Sequence, residues 1–153
     1  MQKIFRILLL IQLAVLSLNG LAAGCLLIAV PDGSLVGLPQ AWLEHAPFSS
    51  YFIPGCLLFL FMGVLPALAF TGITFKRNWQ WAQRINLLPA RSSSNTLALY
   101  SGVGAIIWIA VQQMMTSYFM LQPIIILLGV GIVVSGLVGD ENVTTISEVA
   151  CSK

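Results

Sequence analysis

Four stretches of this chain carry no Lys, Arg, Asp or Glu, and that pattern leaves few folds open to it. They cover residues 7–28, 51–75, 97–115 and 119–138. A helix needs roughly 20 apolar residues to cross a hydrocarbon core about 30 Å thick. A charge at mid-bilayer costs about 2.5–3.5 kcal/mol on insertion scales, and these stretches avoid it entirely. Charged residues are 8% of the chain, whereas a soluble domain usually carries about 25% to wet its surface. The expected fold is therefore an all-α membrane protein: a four-transmembrane-helix bundle over residues 1–139, followed by a short tail at 140–153.

The basic residues orient it. Lys3 and Arg6 precede the first stretch; Lys76, Arg77, Arg84 and Arg91 lie between the second and third; Lys153 ends the chain. The 29–50 loop holds Asp32, Glu44 and His45 but no Lys or Arg, and the turn at 116–118 is uncharged. The positive-inside rule then puts both termini and the 76–95 loop in the cytoplasm. Acidic residues count little in that rule, so Asp140, Glu141 and Glu148 do not oppose a cytoplasmic tail. The expectation is a multi-pass protein of the cytoplasmic (inner) cell membrane, N-in and C-in. A net charge of +2 confined to loops argues for orientation and not for nucleic acid.

A processed first segment is the competing reading. Leu21-Ala22-Ala23-Gly24-Cys25 fits the loose pattern of a lipoprotein cleavage site. Apolar sequence continues through Leu26, Leu27 and Ile28, however, which favours a retained span.

The loops have their own chemistry. Pro31-Asp32-Gly33-Ser34 predicts a turn, since Pro sets φ and Gly permits positive φ. Residues 39–44 predict a short interfacial helix with Trp42 at headgroup depth, and Ser49 or Ser50 is placed to cap the second span. Pro54 fits an opening turn. Pro66, beside Gly63, removes a donor in mid-span and predicts a kink. Arg77, Arg84 and Arg91 recur every seven residues, with Trp81, Ile85 and Leu88 at helical spacing. Either a short amphipathic helix in the inner headgroup layer or an ordinary basic loop accounts for that pattern, with Pro89 and residues 92–95 ending it.

Helices in lipid associate where small residues allow close approach. Ser17, Gly20 and Gly24 form one such stripe on the first span. Ser101 and Ala105 lead into Trp108 and Gln112 on the third. On the fourth, Gly129 and Gly136 lie on one side while Gly131, Ser135 and Gly139 line another, so this helix is expected to touch two neighbours.

The spans contain no ionisable residue of the kind that marks proton or ion pathways. Four-helix multidrug transporters of similar size rely on a membrane-embedded acid, in place of which the first span offers Gln12 and Asn19. There is no Cys-x-x-Cys pair. Cys25 and Cys56 fall at similar depth, as two free thiols or a disulfide; Cys151 lies on the opposite side. Asp32, Glu44, His45, Gln112, Gln113 and Gln122 gather toward the outer face, without metal-ligand spacing. The sequon at Asn142 falls in the cytoplasmic tail. No catalytic, cofactor-binding or metal-binding residue is assigned.

Pro31-Asp32-Gly33-Ser34 followed by Gly37-Leu38-Pro39, Pro47-Phe48, Ile53-Pro54-Gly55 and Gly63-Val64 resembles an uncharacterised small bacterial four-transmembrane-helix membrane protein family. Ile107-Trp108-Ile109-x-Val111-Gln112 and Leu121-Gln122-Pro123 fit it as well, and the likeness covers residues 8–138. The resemblance implies the fold and a bacterial cytoplasmic membrane; the family has no established activity. The expected function is non-enzymatic, through membrane lipids, a homo-oligomeric partner or another membrane protein. The alternative is an oligomeric channel or transporter for a small solute, lined by neutral polar residues such as Gln12, Asn19 and Gln112.

Overall fold

A computed structural model of the protein describes residues 2–43, 47–77, 79–88, 91–115 and 120–139. Glu44, His45, Pro89, the 116–118 turn and the 140–153 tail, with Asn142 and Cys151, lie outside the described residues. Among those described there is no strand. The chain forms α1 (Gln2–Ala29), two 3-10 turns (Ser34–Val36 and Gln40–Leu43), α2 (Phe52–Leu58), a π turn (Phe59–Val64) and α3 (Leu65–Thr74). It continues with α4 (Gln80–Arg84), α5 (Ser93–Met115) and α6 (Leu121–Val138). Lipid offers no hydrogen bonds, so a crossing segment must satisfy its own backbone, as a helix does. Four helices are long and apolar enough for this: Gln2–Ala29, Phe52–Thr74, Ser93–Gln113 and Leu121–Val138. They suggest a multi-pass membrane protein.

The four run up and down as a ring. α1 packs on the second span and on α6, and α5 packs on α3 and on α6. Leu13 and Ile132 are 0% exposed, and Leu9, Leu16, Met62, Ala69, Leu97 and Ala105 complete the shared core. Small residues set the distances between axes. A β-carbon on Gly24 would stand 2.7 Å from Phe59 Cβ, and one on Gly20 would overlap the Met62 carbonyl. Across the ring, a β-carbon on Gly102 would lie 2.8 Å from the Gly129 carbonyl oxygen. The stripe at Ser17, Gly20 and Gly24 thus meets the second span. α6 does touch two neighbours: Gly129 faces Ala105 and Ile106 of α5, while Gly131 approaches Gln12 and Gly139 approaches Arg6 on α1.

Pro66 gives a π turn just ahead of it. The Leu65 amide reaches back to the Leu60 carbonyl, five residues earlier, instead of four. The wider turn takes up the register that the missing proline donor disrupts. Ser17 Oγ donates to the Gly63 carbonyl at 3.0 Å within this segment, so α1 supplies a donor to a weakened ladder.

The local expectations fare unevenly. No side chain caps α2: Tyr51 holds the N-cap position without a side-chain hydrogen bond, and Ser49 and Ser50 do not serve. The short helix expected over residues 39–44 forms as a single 3-10 turn at Gln40–Leu43. The central helix is only the five residues of α4. Ile85 and Leu88 therefore lie beyond the helix, because the chain leaves it at Ile85 and turns to pair with α5.

Candidate functional site

Two polar regions stand out, one at each end of the bundle. The first is the basic end, where α1 starts, α3 stops, α5 starts and α6 stops. Helix C-termini expose carbonyls that attract cations, and two arginines answer from neighbouring segments. Arg6 donates to the Ile73 carbonyl at 3.2 Å, in the last turn of α3. Arg91 donates to the Gly136 carbonyl at 3.0 Å, near the end of α6. Both guanidiniums are half-buried, so they tie helices together while remaining at the charged boundary.

Lys76 ends the second span in a left-handed conformation, with φ 50°. The Arg77 amide bonds the Gly72 carbonyl at 2.9 Å, the six-to-one bond of a Schellman cap whose left-handed position is usually Gly. Arg77 then lies 4.7 Å above the Trp79 ring, a cation–π distance. Lys76, Arg77 and Arg84 are exposed, and so are Phe75 and Leu87. Cations beside apolar side chains at the rim of a bundle suit a headgroup boundary.

The loop beneath is held by α5. Ser92 Oγ accepts the Asn95 amide at 3.3 Å and so caps this helix four residues ahead of its apolar run. The polar first turn is then buried against the loop. Ser94 Oγ donates to the Arg77 carbonyl at 3.0 Å, and Thr96 Oγ1 donates to Asn86 Oδ1 at 2.7 Å. Tyr100 donates its hydroxyl proton to the Ile85 carbonyl at 2.8 Å and accepts the Leu87 amide at 3.2 Å.

At the opposite end residues 31–43 fold onto Tyr51. Its ring is 4% exposed, its hydroxyl donates to the Pro39 carbonyl at 2.8 Å, and its amide donates to the Pro31 carbonyl at 2.9 Å. Burial pushes the Tyr51 phenol above its ordinary range. The predicted turn at 31–34 forms, with Gly33 at φ 78°. The Ser34 amide bonds Asp32 Oδ1 at 2.8 Å, and that bond, with help from the Ser34 hydroxyl, holds the Asp32 carboxyl below the usual carboxylate range.

The outer polar residues take separate environments. Asp32 and Gln113 are exposed and Gln112 is half-buried, whereas Gln122 is 2% exposed inside the bundle. Among the described residues no three His, Cys, Asp or Glu come together. Cys25 and Cys56 are free thiols, the former exposed.

Within the spans, Ser101 Oγ donates back to the Leu97 carbonyl at 2.8 Å. Gln12 Oε1 and Trp108 Nε1 are buried without a hydrogen-bond partner. Gln12 turns toward α6, and Asn19 lies exposed on α1. The Arg6 and Arg91 caps, the Lys76 turn and the Tyr51 anchor were not read from sequence. Only the position of Lys76 just past an apolar run hinted at a cap. No family model, curated protein or solved structure matches the chain.

Proposed function

We propose that this is a multi-pass protein of the bacterial cytoplasmic membrane, with both termini inside, acting through partner and lipid contacts rather than by catalysis. The observation that carries this reading is the filled bundle axis. Leu13, Leu16, Met62, Ala105 and Ile132 are between 0% and 2% exposed, so the chemistry open to other molecules lies on the outer surface and at the basic end. The collection of Lys3, Arg6, Lys76, Arg77, Arg84 and Arg91 at one end of the bundle supports the inside assignment. The resemblance of the Pro31–Pro39 and Ile53–Gly55 motifs to those of small bacterial four-helix membrane proteins supports the compartment.

The test has two parts. An Arg84→Cys variant, in a chain with its own cysteines changed to Ser, should resist a membrane-impermeant thiol reagent in intact cells and react after lysis. Labelling from outside would overturn the orientation. The purified protein in liposomes should pass no small solute. A solute flux that Gln112→Leu abolishes would replace this reading with that of an oligomeric channel or transporter.

A further inference from the structure

Asn19 faces away from the bundle at a depth where nothing polar is expected. Its side chain is exposed, and its one hydrogen bond runs from Nδ2 back to the Val15 carbonyl at 3.2 Å. At 1.5 Å per residue it lies about 15 Å below the Ala29 end of α1, within a hydrocarbon core about 30 Å thick. The other exposed side chains bearing nitrogen or oxygen in the four spans, among the described residues, are Lys3, Thr74 and Gln113, all at span ends. Back-bonding uses one of the two N–H groups. The second N–H and both lone pairs of a carboxamide carbonyl still need partners, and acyl chains offer none.

Asn19 also belongs to a register. Val15, Asn19, Ala22, Leu26 and Ala29 follow one another in steps of four, three, four and three, and all five are exposed. This is the 3.5-residue seam of a left-handed helix pair, with Ala22 and Ala29 small enough for close approach. One step earlier on the same seam, Gln12 is occupied by Gly131 of α6. The opposite flank of α1, at Gly20 and Gly24, is occupied by the second span. The free part of the seam therefore begins where contact with α6 ends.

We infer that this seam pairs with the same seam of a second copy, in a parallel two-fold α1–α1 contact centred on a hydrogen bond between the two Asn19 side chains. Symmetry selects the occupant. Copies inserted in one orientation share depth, so a two-fold axis along the membrane normal brings Asn19 to Asn19. A carboxamide both donates and accepts, and is complementary to itself. From Val15 onward Asn19 is the one polar residue of the seam, and a single Asn among apolar positions is also the device that sets register in two-stranded coiled coils.

This inference rests on the membrane reading above, and the experiment separates the two. The full chain, with Cys25, Cys56 and Cys151 changed to Ser, is reconstituted in liposomes, floated to verify insertion, and diluted with lipid while energy transfer between labelled copies is recorded. Association should fall with dilution, and Asn19→Leu should lower the association constant about 3-fold to 30-fold without changing helix content. Ala22→Cys should cross-link under mild oxidation, and Leu127→Cys, on the exposed side of α6, should not. Monomers at every protein-to-lipid ratio, an unchanged constant in Asn19→Leu, or cross-linking at 127 in place of 22 would overturn the pairing while leaving the membrane reading intact. A chain that fails to float would remove both.

Discussion

Gly20→Ala is the sharpest test of how this bundle is held, because one methyl group must displace helix backbone. The added β-carbon would fall on the Met62 carbonyl carbon and oxygen and on the Gly63 nitrogen. None of these can rotate aside. Restoring an ordinary separation of about 3.5 Å requires α1 and the second span to part by about 1 Å. Overpacking of this kind typically costs about 1–3 kcal/mol. The same displacement stretches the Ser17–Gly63 hydrogen bond from 3.0 Å beyond bonding range, losing about 0.6 kcal/mol and at most about 1.7. The sum is a loss of about 2–5 kcal/mol. Gly104→Ala is the matched control: its β-carbon would meet nothing within 4 Å, and helix propensity favours Ala over Gly by up to about 1 kcal/mol. Reversible unfolding in mixed micelles, followed by circular dichroism, compares the two. A loss below about 1 kcal/mol for Gly20→Ala, or equal losses for both variants, would refute the proposed backbone contact.

Ser17→Ala should lose about 0.6 kcal/mol in the same assay, with fully retained helix content; no change would mean that the Gly63 carbonyl does not depend on α1. Lys76→Gly should gain about 1 kcal/mol, since Gly adopts the left-handed conformation without the penalty of a side chain, and a loss would show that the lysine head makes a stabilising contact. The Asp32 carboxyl is lowered in the fold, so its contribution to the 31–34 turn is complete above the ordinary value of about 4 and is lost as pH falls through that range and below. Loop protection against proteolysis should accordingly weaken in acid for the parent chain and become independent of pH over that window in Asp32→Ala.

Legibility followed locality. The spans could be read because hydropathy sums over about 20 neighbouring residues, and the 31–34 turn because Pro, Asp and Gly act within four. The glycine stripes could be read as stripes, since helical spacing puts Gly20 and Gly24 on one side. The partner of each stripe could not. Pro66 announced a disturbance, but whether it becomes a bend or a π turn depends on the helix packed against it, here α1 with Ser17. Ser49 and Ser50 had the right chemistry for a cap and the wrong position, because the burial of Tyr51 sets where α2 begins. The segment after Arg77, open in the sequence between an amphipathic helix and a basic loop, takes five residues of helix and then loop, since Asn86 and Ile85 bond to Thr96 and Tyr100, residues that are distant in sequence.

The chain by itself determined four apolar helices, the gathering of positive charge in the segments that join them at one end, and the small residues available for contact. These are sums and periodicities along a single strand of sequence. Only the assembled bundle decided the rotation of each helix about its own axis: Gly20 against Met62, Gln12 toward α6, Arg6 and Arg91 on the ends of other helices, Asn19 outward. A helix in lipid gains nothing from burying one apolar face rather than another, so its rotation is chosen by which small surfaces interlock. That is a property of pairs of segments and is written in neither one alone.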